Sequence, residues 1–110
     1  MITEREKECR EKLFRLLQEH PDLPIAPMVD AEIIAGTEYA WYLGSWGDCD
    51  VSKILCTDER IFFKDSDDVE EILSATKGWD WYLNATDEEV DAAFEALPWE
   101  EVISVYIGTL

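Results

Sequence analysis

Three evenly spaced prolines divide the chain into segments of different hydrophobic period. Pro21, Pro24 and Pro27 each fix φ and bias the preceding residue away from the helical conformation, which predicts a stiff, extended connector. Before the prolines, apolar residues recur with a period near 3.6, and after them the period is about 2. We therefore expect a single domain of 110 residues in which one amphipathic helix precedes a region rich in strands.

The predicted first helix covers residues 4–19. Thr3 and Glu6 have the spacing of a capping box. The apolar stripe that follows, at i, i+4, i+7 and i+8, consists of Cys9, Leu13, Leu16 and Leu17. Five acidic and five basic residues make this helix neutral. The net charge of −17 therefore arises after Pro21, where 21 acids accompany four bases.

Four strands are predicted after the connector, over residues 28–34, 39–46, 51–56 and 60–64. The breaks between them fall at Gly36-Thr37, at Gly47-Asp48 and at residues 57–59. Such short connections cannot contain the crossovers that parallel strands need. The pattern therefore indicates an antiparallel meander.

The rest of the chain predicts two further helices and a last strand. Asp67 with Glu70, and Thr86 with Glu89, repeat the capping-box spacing, and the two helices should end at Gly78 and before Pro98. Residues 79–84 are aromatic and fit either helix or strand, whereas residues 102–107 are typical of a strand. The predicted fold class is α+β, an antiparallel β-meander of four to five strands with three helices packed against it.

Composition excludes several classes of function. Phosphate backbones repel a chain of this charge, so we expect no direct nucleic-acid partner. The longest apolar stretches are far shorter than the ~20 residues of a membrane-spanning helix, and the charged N-terminal region does not resemble a signal peptide. Cys49 and Cys56 are seven positions apart on extended chain, too far for a disulfide. These features predict a cytoplasmic protein with free thiols.

No motif for catalysis or for a cofactor passes inspection. Asp48, Asp50, Ser52 and Glu59 match four positions of a calcium-binding loop, but Lys53 replaces its required glycine. The chain has one histidine, His20, and no nucleophile elbow. We therefore expect a protein that is not an enzyme and has no metal or cofactor; an enzyme that uses carboxylates to hold a metal is the least favoured alternative.

Two sequence blocks carry a resemblance to a known group of proteins. They are residues 41–48 (WYLGSWGD) and residues 58–64 (DERIFFK), with Pro27, Met28 and Val29 upstream. With these blocks the chain resembles small acidic proteins of prophages and other mobile elements of Gram-positive gut bacteria, over residues 24–75. The resemblance implies no activity and no catalytic residue. It implies a setting in which short accessory proteins, including anti-restriction and anti-CRISPR inhibitors, bind and block host machinery.

Acidic residues cluster in residues 65–71 and again in residues 87–95. Helix N-termini favour acids, so capping explains about half of them. The excess causes self-repulsion and indicates either selection for solubility or a surface complementary to a basic partner. The favoured interpretation is a binding protein that engages a basic host or phage protein as a nucleic-acid mimic, and the alternative is a passive accessory domain.

Candidate partner-binding residues follow from these clusters and from the aromatic residues. We expect residues 44–50 at a hairpin end, with Trp46 as a partly exposed anchor and Gly44 and Gly47 where a backbone approaches closely. Trp81, beside Asp80, is a second possible anchor, whereas Trp41, Trp79 and Trp99 are expected in the core. The full set of predicted partner-binding residues is Trp46, Asp48, Asp50, Asp67, Asp68, Glu70, Glu71, Glu88 and Asp91.

Overall fold

The computed structural model describes residues 4–35, 40, 41 and 43–109, and these form five helices and one four-stranded sheet. The helices are α1 (Glu4–Glu19), α2 (Ala31–Ala35), α3 (Val69–Lys77), α4 (Trp79–Asn84) and α5 (Asp87–Ala96). The strands are β1 (Ile25–Val29), β2 (Ser45–Cys56), β3 (Ile61–Phe63) and β4 (Glu100–Gly108). In the described part of the chain, no helix has the length and apolar character needed to cross a membrane.

The chain divides into two compact units. The first unit is Met1–Ser52 with Glu101–Leu110, and the second unit is Lys53–Glu100. Strand β2 begins in the first unit and ends in the second. Whether the chain behaves as the single domain predicted from its sequence stays a prediction.

The α+β class is correct, but the sheet is mixed rather than an antiparallel meander. Its strand order is β1-β4-β2-β3. β2 and β3 pair antiparallel, with Ile54 opposite Phe63, as their short connection predicts. β1 and β4 instead pair parallel, from Ile25 opposite Ile103 to Val29 opposite Ile107. The argument from short connections does not apply to this pair, because most of the chain separates the two strands and supplies the crossover.

The segment that follows the first prolines also differs from the prediction of a strand over residues 28–34. β1 begins at Ile25 and includes Pro27, which an edge strand tolerates because its outer N–H groups have no partner strand. Residues 31–35 form the short helix α2 instead of strand. Asp30 starts this helix, since its side chain accepts a hydrogen bond from the Glu32 N–H at 2.9 Å.

Strand β2 is continuous over twelve residues, so the predicted turn at Gly47-Asp48 is wrong. Of the predicted strand over residues 39–46, the structure confirms only Ser45 and Trp46; residues 40, 41, 43 and 44 are not strand, because β2 begins at Ser45. The other predicted turn, at Gly36-Thr37, lies outside the described residues, as do Tyr39 and Tyr42. Gly47 serves close packing instead of a turn: a Cβ there would stand 2.6 Å from the Tyr106 carbonyl oxygen.

The core of the first unit lies between α1 and the sheet. Helix α1 has the predicted bounds, although its capping residue Thr3 is outside the described residues. The buried cluster of Cys49, Ile103 and Val105 is covered by partly buried side chains that include Leu13, Leu16 and Leu17 of the α1 stripe, together with Leu23, Trp46 and Val51. Residues 102–105 are all buried, so both faces of β4 are covered.

The second unit has its own core and two capped helices. Leu55, Phe62 and Ile72 are buried together, and Phe94, Leu97 and Trp99 pack against them. α5 begins at the predicted capping box, with Thr86 and Glu89 hydrogen-bonded to each other. α3 begins one residue later than predicted, because Asp68, not Asp67, caps it by accepting from the Glu70 N–H. With α2 and α4, the described chain has five helices rather than three.

The packing of β4 predicts the outcome of a matched pair of substitutions. Ile103→Ala should lower the free energy of unfolding by about 2–5 kcal/mol, because it removes a fully buried side chain and leaves a cavity. Ile25 pairs with Ile103 but is 50% exposed, so Ile25→Ala should cost less than about 1 kcal/mol. Urea unfolding measures both values, and equal losses would contradict the placement of β4 in the core.

Candidate functional site

The predicted partner-binding residues fall in two separate places. Trp46, Asp48 and Asp50 lie on β2 in the first unit. The other six lie in the second unit, between Asp67 and Asp91.

Trp46 is a packing residue and does not lie at a hairpin end. It is half-buried inside β2 and contacts the core cluster of Cys49, Ile103 and Val105. Its remaining surface lines a shallow cleft of about 280 Å³ in the first unit, together with residues such as Arg5 and Tyr106. The expected close backbone approach at Gly44 is present, since a Cβ there would lie 3.2 Å from the carbonyl oxygen of Gly108.

Asp48 and Asp50 both make contacts inside the protein. The Lys12 ammonium lies 2.9 Å from Asp48 Oδ1, which also accepts from the Cys49 N–H at 2.8 Å. The bond from Lys12 lowers the pKa of Asp48 below its ordinary value, and the same bond raises the pKa of Lys12. Asp50 accepts a hydrogen bond from the Ser52 hydroxyl at 2.6 Å. The ion pair of Asp48 with Lys12 therefore connects β2 to α1.

Three predicted acids of the second unit stabilise its local structure. Asp67 accepts from the Phe63 N–H at 2.7 Å, and Asp68 is the N-cap of α3. Asp67 and Glu71 both bind the guanidinium of Arg60, at 3.1 and 2.6 Å. These carboxylates are already occupied, so only part of the predicted negative face is available to a partner.

The remaining three predicted acids are exposed and unpaired. The carboxylates of Glu70, Glu88 and Asp91 have no hydrogen bond or ion pair within the described part of the chain. They belong to residues 65–100, which we call the acidic helical segment and which hold twelve acids and one base. Because Lys77 is the one base, most of this charge has no counterion within the segment.

The bases of the second unit are held by aromatic rings and carboxylates. Arg60 Cζ lies 4.4 Å from the centre of the Phe62 ring while its nitrogens bind Asp67 and Glu71. Lys64 binds Glu95 at 2.8 Å, and its ammonium lies within 6 Å of the ring centres of Phe94 and Trp99. Of the four bases in this unit, Lys53 alone has a side chain with no such contact within the described residues.

Helix α4 exposes an aromatic surface inside the acidic helical segment. None of its six residues is buried, and Trp79 and Leu83 are 50% and 60% exposed. Trp79 stacks on Tyr82 with ring centres 6.0 Å apart. The prediction that Trp79 lies in the core is therefore wrong, as is that for Trp41, which is 91% exposed.

The Trp99 prediction is supported, since its indole N–H donates to the Phe94 carbonyl at 2.8 Å and its ring packs on the second core. The exposure of α4 could not be predicted from its sequence. Four of its six residues are aromatic or apolar, and such a broad apolar surface is typical of a buried helix.

A shallow cleft of about 270 Å³ lies against α4 and the start of α5. Its lining combines the Trp81 ring with the carboxylates of Asp80 and Glu89, and it also includes Asn84 and Ala85. The ammonium of Lys77 stands 5.8 Å from the centre of the Trp81 ring. The sequence indicated Glu89 as a capping residue and a member of the second acidic cluster, but not its position beside Trp81 and Asp80, so it did not predict this cleft.

Groups of three or more histidine, cysteine or acidic side chains placed to hold a metal ion are absent from the described residues. The three cysteines are free thiols, with Cys9 and Cys49 buried and Cys56 exposed; burial raises the pKa of Cys49. Comparison with protein-family models, curated proteins and solved structures finds no match to this chain.

A matched pair of tryptophans tests the assignment of Trp46 to packing. Trp46→Ala should lower the free energy of unfolding by about 3 kcal/mol, because it leaves a cavity beside the first core. Trp41→Ala removes an equally large side chain that is almost fully exposed, and should change stability by less than about 0.5 kcal/mol. Thermal melts of both variants measure the difference; a Trp46→Ala protein as stable as the wild type would restore Trp46 as a candidate anchor.

The ion pair of Lys12 with Asp48 predicts a coupling that depends on pH. A double-mutant cycle with Lys12→Met and Asp48→Asn should give about 0.2–1 kcal/mol near neutral pH, since both side chains are partly exposed. The lowered pKa of Asp48 means that this stability is present above its ordinary pKa and is lost as pH falls through the lowered one.

The raised pKa of Lys12 keeps the pair intact until pH rises through that value, so the coupling persists across the neutral range. We expect the coupling energy from urea unfolding to fall toward zero as pH drops through the lowered pKa of Asp48. A coupling that does not decrease at acid pH would contradict the assignment.

Proposed function

We propose that this chain is a non-catalytic cytoplasmic protein that binds a basic protein partner through the acidic helical segment. One observation carries the proposal: residues 65–100 hold twelve acids and one base, while Glu70, Glu88 and Asp91 are exposed with no internal partner. Like charges at this density repel one another, and a partner rich in lysine and arginine relieves that repulsion on binding.

The aromatic surface of α4 supports a binding role over a role in solubility alone. Acids suffice to keep a protein soluble, whereas exposed Trp79 and Leu83 oppose solubility unless they meet a partner. Exposed aromatic residues among charges are typical of interface anchors, with the charges guiding the approach. The combination favours a binding protein over a passive accessory domain.

The class of partner follows from the arrangement of charge. A surface of unpaired carboxylates presents to a basic groove the same sign of charge as a phosphate backbone. We propose that the partner is a host or phage protein that binds nucleic acid, and that this chain competes for its groove. The resemblance of residues 24–75 to accessory proteins of mobile elements agrees with an inhibitor of this kind.

Capture from bacterial lysate with charge variants tests the proposal. The protein is immobilised, and proteins retained at about 50 mM and about 300 mM salt are identified by mass spectrometry. We expect basic nucleic-acid-binding proteins that are lost at the higher salt concentration and displaced by added duplex DNA. Glu70→Gln/Glu88→Gln/Asp91→Asn should reduce their capture by about tenfold or more, a loss of about 1.4 kcal/mol.

The control removes three charges from the first unit. Glu8, Glu11 and Glu19 of α1 are exposed acids with no side-chain partner within the described residues. Glu8→Gln/Glu11→Gln/Glu19→Gln therefore gives the same net charge but should retain capture. Equal losses from the two triple variants, or capture that is indifferent to salt and to DNA, would refute the proposal.

A further inference from the structure

The cleft beside α4 points to a more specific contact, which rests on the function proposed above. We infer that this cleft, lined by Asp80, Trp81 and Glu89, receives an arginine side chain from an arginine-rich segment of the partner. The guanidinium would lie against the Trp81 ring and donate hydrogen bonds to the two carboxylates. The acidic helical segment would then supply attraction, and the cleft would supply the specific contact.

The protein contains an internal example of the same chemistry. Arg60 lies over the Phe62 ring at 4.4 Å and binds two carboxylates, those of Asp67 and Glu71. Its planar guanidinium can stack on a ring and donate to acids in the same plane. The cleft offers an aromatic ring and two carboxylates as well, but no arginine of this chain lines it.

Trp81 already stands beside a positive charge. The Lys77 ammonium lies 5.8 Å from the centre of its ring and makes no ion pair within the described residues. The tryptophan ring is the aromatic group that attracts cations most strongly. Lys77 therefore shows that this ring accepts a cation, while Asp80 and Glu89 are left for a second one.

The carboxylates of the cleft are open to a donor. The side chain of Asp80 has no hydrogen bond or ion pair within the described residues. Glu89 uses Oε1 for the Thr86 hydroxyl at 3.1 Å, and its other oxygen has no such bond. The cleft holds about 270 Å³, which is room enough for the end of an arginine side chain.

Arginine fits this site better than lysine. Its five donors lie in one plane, so it can bond to both carboxylates while one face stays on the indole. Lysine presents a strongly hydrated point charge that gains less from a ring. The wild-type protein should therefore prefer arginine peptides over lysine peptides of equal charge.

The experiment titrates the full-length protein with nona-arginine and with nona-lysine in calorimetry. The test variant is Asp80→Asn/Glu89→Gln, in which glutamine retains the capping box. The control is Asp58→Asn/Glu59→Gln, which removes two exposed, unpaired acids from the turn before β3 and gives the same net charge. Thermal melts confirm that both variants fold.

We expect the wild type to bind nona-arginine at least about five times more tightly than nona-lysine. The test variant should bind nona-arginine about tenfold more weakly than the wild type does, and it should no longer prefer nona-arginine over nona-lysine. The control should lose less than about threefold and keep the preference. Trp81→Phe, which retains a ring with weaker attraction for cations, should lose affinity for nona-arginine by an intermediate factor.

The outcomes separate the two proposals. Equal losses in the test and control variants, or equal binding of the two peptides by the wild type, would overturn the arginine cleft while leaving the acidic surface as a binding face. No binding of either peptide by the wild type at about 50 mM salt would overturn the cleft and the proposed function together.

Discussion

Repulsion between carboxylates is the main electrostatic cost that the second unit has to offset in order to fold. It contains fourteen acids and four bases, and three of those bases lie against aromatic rings. Arg60 is the most connected of them, because it joins the turn before β3 to α3 through Asp67 and Glu71 while covering the Phe62 ring. Acids at the starts of α3 and α5 meet the positive ends of the helix dipoles, which offsets more of the repulsion. The acids left over are those available to a partner.

This distribution separates acids that hold the fold from acids that face solvent unpaired. Asp67, Asp68 and Glu71 belong to the first kind, and Glu70 belongs to the second although it lies among them in sequence. A charge count over residues 65–71 treats the four alike. Only the contacts show that removing the first three would disturb a helix cap or the Arg60 ion pairs, whereas Glu70 can be changed without loss of an internal bond. To decide which acids of a surface can bind a partner, one must therefore identify the contacts that each carboxylate makes within the protein.

Local signals predicted much of the fold, although not residues 31–35 or Gly47-Asp48, and they could not predict pairings between distant segments. The α1 stripe, the Thr86 and Glu89 capping box and the β2–β3 pairing depend on residues near one another in sequence, and all three are present. The parallel pairing of β1 with β4 joins residues almost eighty positions apart, and the hydrophobic periodicity of either segment cannot predict such a distant pairing. Gly47 does not form the predicted turn, but the close backbone approach also predicted there is present beside Tyr106, because glycine is typical of both environments. For the site, sequence indicated the acidic helices and Trp81 but not the cleft, because the cleft needs the relative placement of α4 and α5.

Gly78 gives the aromatic surface of α4 its position. It ends α3 and begins α4 with φ at +100°, and a Cβ placed there would meet no atom within 4 Å. Glycine is therefore required by the backbone conformation and not by lack of space, because a positive φ of this kind strains every L-residue that has a side chain. Natural mutation can supply only L-residues, so the junction between these two helices has a single genetically encoded solution.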